Sequence, residues 1–214
     1  ASKFKIDYIK NYTPIIGNNN GDNLPTSQLM YPVMQTADVF FLGVDICSLG
    51  MDQKKVNMLC REYCDKIHRK FKPIIISHHM LLGLDGKNKM SKSDPNNAIF
   101  MNDAPYIVKK KIKNAFCEVG NIDTNPILEY IKYIILEKDD EFVVGRDDSN
   151  KTYTRYDDVE EDFEKKLIHP EDLKNAVIEC LNRYLKPVRE HFTTNDEANL
   201  LHKTVKSYKI KKIM

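Results

Sequence analysis

Long apolar runs are absent from this sequence: no stretch approaches the roughly 20 apolar residues that cross a bilayer, and no signal-peptide pattern opens the chain. The five cysteines are odd in number and irregularly spaced, unlike a disulfide framework. Cys60 and Cys64 lack a second ligand pair at zinc-finger spacing. These absences predict a cytoplasmic protein with free thiols, no membrane association and no metal site.

Excess charge of one sign is also lacking, because the net charge is only +2. The charge is unevenly distributed, however: residues 201–214 include five lysines and no acid. Such a segment is either a solvated end or a contact to a phosphate backbone. With 214 residues, 42% of them apolar, the chain can form one large or two small domains.

The segment with the clearest chemistry is Lys89-Met90-Ser91-Lys92-Ser93, which follows a glycine-containing approach over residues 81–88. Lysine ammonium groups neutralise phosphate oxygens, serine hydroxyls donate hydrogen bonds, and glycines let a backbone approach a ligand and move. Nucleotidyl transfer depends chiefly on neutralising charge on the phosphates. The segment therefore predicts a loop that closes over a polyphosphate, and a solvated polar loop is the alternative.

The residues before this loop predict a strand, a helix and a second strand, over 44–49, about 54–67 and 72–77. We expect the first strand to be buried and the two strands to be parallel, with Asp52 as the cap of the helix between them. The carboxyl ends of parallel strands line a ligand crevice, and the loop containing Lys89 follows directly on the second strand. The candidate chemistry is thus predicted at one edge of one sheet.

An earlier helix is predicted from residue 26 or 27 to Phe41, with Thr26 or Ser27 as its cap. Its apolar residues recur at helical spacing. Tyr31, Gln35 and Asp38 form a polar line on another face, because they are spaced i, i+4 and i+7. This line is either a binding surface or the exposed stripe of an amphipathic helix.

The second half reads as helices, with a domain boundary expected near residue 104. Helices are predicted to begin after Ala104, Asn125, about residue 154 and His169; proline follows directly at three of these starts, and the last helix is the longest. Residues 142–144 favour a short strand. The predicted class is α/β, with a parallel sheet followed by a helical bundle.

Taken together, these residues resemble the tyrosyl-tRNA synthetases of the eukaryotic and archaeal type, which are class I aminoacyl-tRNA synthetases. The resemblance extends from about residue 15 to the lysine-rich end. It is carried, in order along the chain, by Tyr31-Pro32-Val33-Met34-Gln35-Thr36-Ala37-Asp38, Gly50-Met51-Asp52-Gln53, Ser77-His78-His79-Met80-Leu81, Lys89-Met90-Ser91-Lys92-Ser93, Leu128-Glu129-Tyr130, Asn150-Lys151-Thr152-Tyr153 and His169-Pro170-Glu171-Asp172.

The resemblance implies the second half of a Rossmann-type catalytic domain, residues 1–104, and an all-helical anticodon-binding domain, residues 105–214. It implies that tyrosine is activated by ATP, with Mg²⁺ accompanying the ATP, and transferred to tRNA(Tyr). The implied roles fall into four groups. They are tyrosine binding by Tyr31, Gln35, Asp38 and Gln53; ATP binding by Gly50, Asp52, Met80 and Leu81; catalysis by Lys89, Lys92 and Ser93; and tRNA binding by Lys54, His169 and Asp172.

The chain departs from the family pattern in two places. It lacks the family's first strand and its His-x-Gly-His type motif, and His78-His79 is not that motif. Residues 145–150 lack the aromatic residue that stacks on an anticodon base in the archaeal pattern. We therefore expect the carboxyl-terminal part of a synthetase, whose amino-terminal part is cleaved, left out or a separate chain and which is a homodimer when complete. A tryptophanyl-tRNA synthetase and a non-catalytic tRNA-binding fragment are the alternatives.

Overall fold

The computed structural model describes residues 2–13, 24–87, 89–91, 94–146 and 149–208. The chain divides into two compact units between Met80 and Leu81, earlier than the predicted boundary near residue 104. Leu84 explains the difference, because it is only 3% exposed in the core of the second unit. Its carbonyl oxygen also accepts the Phe116 N–H at 2.7 Å. The segment containing Lys89 therefore folds with the second unit, and the position of the functional boundary remains a prediction.

The first unit combines short helices with a two-stranded parallel sheet, as predicted. The strands pair in register from Ile46 opposite Ile74 to Gly50 opposite His78. A single turn of 3₁₀ helix, Met51–Gln53, separates the first strand from the helix that follows. The elements are α1, Ile6–Lys10; α2, Thr26–Phe41; β1, Ile46–Gly50; α3, Lys54–Lys66; and β2, Ile74–His78.

Burial in the first unit differs from the prediction. Ile46 on the first strand is 58% exposed, so the prediction of a buried first strand is wrong for one of its faces. On the second strand, Ile74 and Ile76 are 57% and 49% exposed. The small core of this unit comprises Val39, Cys47 and Cys60 with partly buried neighbours.

Several of the apolar residues that recur along α2 are exposed. Its buried residues are Pro32, Thr36 and Val39, whereas Met34 and Phe41 are 60% and 88% exposed. Helical periodicity identifies an apolar face, but burial depends on what packs against that face. Parallel sheets and apolar helix faces are normally covered, so this unit exposes surface suited to contact with further polypeptide.

Two predicted helix caps are corrected. Neither Thr26 nor Ser27 caps α2, because Pro25 occupies the cap position and the helix begins with the Gln28 N–H donating to the Pro25 carbonyl at 2.9 Å. Asp52 does not cap α3, because it lies inside the preceding turn and Gln53 takes the cap position.

The second unit is mainly helical and confirms the predicted helix starts at Pro105, Pro126 and Pro170. Each proline occupies the first turn, where its missing N–H has no helical partner to lose. The elements are α4, Pro105–Asn114; α5, Pro126–Tyr130, continued by a π-helical turn, Ile131–Ile135, and by α6, Leu136–Lys138; β3, Phe142–Arg146; β4, Ser149–Tyr153; α7, Tyr156–Glu164; α8, Pro170–Thr194; and α9, Asp196–Ser207.

Two elements of this unit go beyond the prediction. The short strand expected at 142–144 is part of an antiparallel hairpin, β3–β4, whose residues 147 and 148 lie outside the described part of the chain. The segment expected to be a basic end begins inside α9, which the Asn195 side chain caps by accepting the Ala198 N–H at 2.9 Å. The remaining lysines of that segment lie beyond residue 208, the last described one.

A large core holds the second unit together, with Val108, Ile127, Phe142, Phe163 and Val177 all fully buried within it. No helix among the described residues has both the length and the hydropathy needed to cross a membrane.

One ion pair in this unit is nearly buried. Lys111 Nζ lies 2.6 Å from Asp103 Oδ2, and the two side chains are 10% and 14% exposed. The same ammonium donates to the Ala98 carbonyl at 2.9 Å, and the Asp103 carboxylate also accepts the Phe100 N–H at 2.9 Å. The pair therefore ties the segment before α4 to the helix itself.

We expect Lys111→Met to lower the free energy of unfolding by roughly 2–3 kcal/mol, because it leaves the Asp103 carboxylate with one hydrogen bond in a poorly solvated place. Urea denaturation measures this change. Lys165→Met is the matched control: its pair with Glu161 is 58% and 59% exposed, so we expect no measurable change. Equal stabilities of the two variants would contradict the prediction.

Candidate active site

The predicted tyrosine-binding residues line one cavity of about 380 Å³ in the first unit. Helix α2 supplies Tyr31, Gln35 and Asp38 from successive turns, as their spacing predicts. Gln53 reaches the same cavity from the turn that follows β1. The lining residues are Tyr31, Met34, Gln35, Asp38, Leu49 and Gln53.

The chemistry of this cavity is mixed. Gln35 Nε2 and Gln53 Oε1 are buried atoms without a hydrogen-bond partner among the residues that the structure describes. A buried polar atom of this kind costs stability unless a ligand or water satisfies it. Met34 and Leu49 add apolar wall, and Asp38 adds a carboxylate acceptor. Such a cavity suits a small amphipathic molecule with an apolar body and hydrogen-bonding groups at its ends.

The end of β1 brings Gly50 close to Met80 and Asp52, which were predicted as ATP-binding residues. A Cβ on Gly50 would overlap the Met80 Sδ atom and would lie 2.7 Å from Asp52 Oδ1. Because Gly50 has a φ of −59°, the backbone itself tolerates other residues. Glycine at this position therefore serves close approach of neighbouring groups and not a special backbone conformation.

In the second unit, the segment containing Lys89 folds back on its own approach. Leu82 and Lys89 form an antiparallel bridge, and the Met90 N–H donates to the carbonyl of Leu81 at 2.8 Å. Lys89 is exposed at the surface. The predicted catalytic residues Lys92 and Ser93 lie outside the described residues.

The glycines of this approach occupy packed positions, although they were predicted to let the backbone approach a ligand and move. Gly86 has a φ of +71°, and a Cβ there would lie 2.7 Å from a Phe116 ring carbon and 2.8 Å from the Thr124 carbonyl oxygen. A Cβ on Gly83 would overlap the Asn97 side chain. The packing within the second unit therefore leaves no room for a side chain at Gly83 or Gly86.

The predicted tRNA-binding residues lie at helix starts in both units. His169 caps α8, since its Nδ1 accepts the Glu171 N–H at 3.2 Å. Asp172 is half-buried in the first turn of the same helix, and Lys54 is the exposed first residue of α3. The capping contact gives His169 a structural role, and a contact between His169 and RNA remains a prediction.

Sequence reasoning missed one polar residue near the loop. The Leu82 N–H donates to Glu129 Oε2 at 2.6 Å, across 47 positions of sequence. Glu129 was noted only as part of a matching block, and no local pattern signals a contact over that distance.

Two buried cysteines of the first unit, Cys47 and Cys60, have pKa values raised by burial. Burial raises the pKa of the Cys60 thiol to about 11, and burial likewise raises the pKa of Cys47. Both thiols are therefore protonated at neutral pH and act as small apolar side chains.

We expect Gly50→Ala to destabilise the chain by about 1–3 kcal/mol, because its Cβ displaces Met80 and Asp52. Adding Met80→Ala should remove much of that cost, giving a clear coupling energy in a double-mutant cycle measured by urea denaturation. Gly145→Ala is the control, since among the described residues a Cβ there would meet Asn150 Oδ1 alone, at an ordinary 3.4 Å. Strictly additive Gly50 and Met80 effects would show that the overlap does not exist.

Comparison with known proteins places the chain in a family. The sequence profile described as tRNA synthetases class I (W and Y) matches residues 4–186. The chain is 51% identical to tyrosine--tRNA ligase 1, cytoplasmic, of Arabidopsis thaliana, over 98% of the chain and 56% of that protein. It is 37% identical to the tyrosine--tRNA ligase of Thermococcus sibiricus, over 94% of the chain and 63% of that protein.

Solved structures of tyrosyl-tRNA synthetases are also similar to this chain. Tyrosyl-tRNA synthetase from Pyrococcus horikoshii, complexed with L-tyrosine, superposes with a TM-score of 0.83 at 33% identity, over 95% of this chain and 62% of that one. The Leishmania major enzyme in complex with tyrosinol gives 0.82 at 41% identity, over 98% of this chain and 38% of that one. The chain thus spans 56% of its Arabidopsis relative, and it belongs to the class I tRNA synthetases of the tryptophan and tyrosine family.

Proposed function

We propose that this chain is part of a tyrosine–tRNA ligase. The observation that carries the proposal is the cavity in which Tyr31, Gln35, Asp38 and Gln53 meet. Tyrosine has the amphipathic form that this cavity suits. Two relatives named as tyrosine--tRNA ligases support the substrate, as does a relative of known structure that holds L-tyrosine.

In the proposed site, Asp38 accepts a hydrogen bond from the phenolic hydroxyl of tyrosine. Tyr31 and Gln35 hold the α-amino end, and Gln53 contacts the substrate near its carboxylate. The buried atoms Gln35 Nε2 and Gln53 Oε1, which lack partners in the described part of the chain, gain partners from the substrate. A phenylalanine substrate leaves the Asp38 carboxylate without its donor, which is the basis of selectivity.

The proposed reaction has two steps. A carboxylate oxygen of tyrosine attacks the α-phosphorus of ATP, the bond from that phosphorus to the bridging oxygen breaks, and pyrophosphate leaves. A hydroxyl of the terminal ribose of tRNA(Tyr) then attacks the tyrosyl carbonyl carbon, and AMP leaves. Lys89, Lys92 and Ser93 neutralise the triphosphate during the first step.

ATP is proposed to lie along residues at the end of β1 and after β2. Asp52 contacts the ribose, Gly50 admits the nucleotide, and the backbone at Met80 and Leu81 flanks adenine. Mg²⁺ is proposed to accompany the ATP phosphates. The crowding of Met80 and Asp52 around Gly50 supports a requirement for glycine there.

The active enzyme is proposed to need polypeptide beyond this chain. The exposed faces of β1, β2 and α2 support this, because a parallel sheet of two strands exposes apolar surface that family members of greater length can cover. The resemblance implies that this polypeptide is an amino-terminal segment, and that the complete enzyme is a homodimer. A cytoplasmic location is proposed from the Arabidopsis relative, which is named cytoplasmic.

For tRNA, we propose that Lys54 lies near the acceptor end and that His169 and Asp172 lie near the anticodon. The start of α8 is well suited to present side chains, because capping by His169 and the pairing of Glu171 with Lys113 fix its first turn. A tryptophanyl-tRNA synthetase is the second candidate, since the matched family includes both specificities. A non-catalytic tRNA-binding fragment would retain the α8 contacts without adenylation.

Asp38→Asn should weaken tyrosine binding by about 10–100-fold while leaving phenylalanine binding almost unchanged, because only tyrosine loses a hydrogen bond to a charged group. Isothermal titration calorimetry with both amino acids measures the difference. Asp45→Asn is the charge-matched control, as Asp45 is exposed and does not line the cavity. Unchanged preference for tyrosine in Asp38→Asn would overturn the assignment.

Asp172→Asn should weaken binding of tRNA(Tyr) by about 5-fold or more, through loss of a base contact, with little change in salt dependence. Filter binding at several salt concentrations tests this. Asp196→Asn is the control, because Asp196 also lies in the first turn of a helix, α9. If both variants bind equally well, Asp172 serves only its helix.

A further inference from the structure

The contact between Glu129 and Leu82 lies at the base of the segment that contains Lys89. Glu129 Oε2 accepts the Leu82 N–H at 2.6 Å in a partly buried place. A carboxylate that accepts a backbone N–H forms a charge-assisted hydrogen bond, roughly twice as strong as a neutral one. The contact is thus a strong link between the loop and a distant helix.

The helix that carries Glu129 is rigidly placed. Asn125 caps α5 by accepting the N–H groups of Ile127 and Leu128 at 3.0 and 3.4 Å. Ile127 and Leu128 are 0% and 1% exposed, and Tyr130 is 3% exposed. Residues on both sides of Glu129 are therefore fixed in the core, so its carboxylate is held at a defined position.

Backbone contacts within the loop connect Leu82 to Lys89. Leu82 is bridged to Lys89 in antiparallel fashion, and the next residue, Met90, donates its N–H to the Leu81 carbonyl at 2.8 Å. Leu81 and Met90 also pack against the core of the second unit. Whatever holds Leu82 in place thereby restrains the backbone of Lys89.

We propose that Glu129 is a positioning residue, which holds the strand at Leu82 and through it the backbone of Lys89 in the place required for catalysis. The catalytic meaning of this inference rests on the proposed function, whereas the restraint itself does not. A site that stabilises charge gains most when its groups are held in position before the reaction. Glu129 acts through the loop and is not proposed to touch the substrate.

Hydrogen exchange of the backbone amides of Leu82 and Met90 tests the restraint directly. In Glu129→Ala we expect both amides to exchange roughly tenfold faster, because a hydrogen bond to a charged group is lost. In Glu129→Gln, which keeps a neutral acceptor, we expect roughly a threefold increase. Glu137→Ala, an exposed glutamate of α6, is the control and should change neither amide.

Three outcomes would overturn the proposal. The two amides could keep their wild-type rates in Glu129→Ala. Leu82 alone could respond, which would mean that the restraint does not reach the strand of Lys89. The core amide of Val177 in α8 could accelerate by the same factor, which would mean that Glu129 supports only global stability.

Activity separates this inference from the proposed function. In tyrosine-dependent ATP–pyrophosphate exchange, Glu129→Ala should lower kcat by roughly tenfold with KM for tyrosine unchanged, and Glu129→Gln should recover much of it. A change in KM for tyrosine with kcat unchanged would contradict a role in positioning Lys89. If wild-type protein shows no exchange under any condition, the proposed function fails, and the amide rates still decide whether Glu129 restrains the loop.

Discussion

The parallel pairing of β1 with β2 is the constraint on which the first unit depends. Because Gly50 lies opposite His78, the two strands end at the same edge of the sheet. The turn with Asp52 and Gln53 leaves one strand there, and Met80 follows the other. Gln53 can then share a cavity with three residues of α2. A register shift of one residue would turn Cys47 out of the small core and remove Gln53 from the cavity.

The two units differ in how their apolar surface is satisfied. In the second unit, the core is extensive and includes residues from α4, α5, α7, α8 and the hairpin. In the first, the core is small and large apolar side chains on both strands and on α2 are exposed. A unit of this kind gains stability when further polypeptide covers it, because burying apolar surface is the main favourable term in folding. The candidate cavity therefore lies in the first unit, which has the smaller core and the more exposed apolar surface.

Local signals explain what the sequence predicts well. Proline at the first helical position predicted the starts of α4, α5 and α8. The i, i+4, i+7 spacing predicted that Tyr31, Gln35 and Asp38 lie on one face of α2, and all three line one cavity. Local sequence patterns did not predict burial or long-range contacts, because these depend on tertiary packing. The apolar residues of α2 look like a core face, yet Met34 is 60% exposed. Strand β4 is mostly polar and exposed, and α9 buries no residue, so neither shows strong periodicity of burial. The contact from Glu129 to Leu82 crosses 47 positions, beyond any local pattern.

The most direct test of this account is amino-acid-dependent ATP–pyrophosphate exchange by the purified chain, alone and with the amino-terminal segment of a full-length relative, its purity checked by intact mass. We predict that exchange depends on tyrosine and that tryptophan and phenylalanine do not support it. If the chain alone is inactive, the added segment should restore exchange. Exchange driven by tryptophan, or no tyrosine-dependent exchange under either condition, would contradict it.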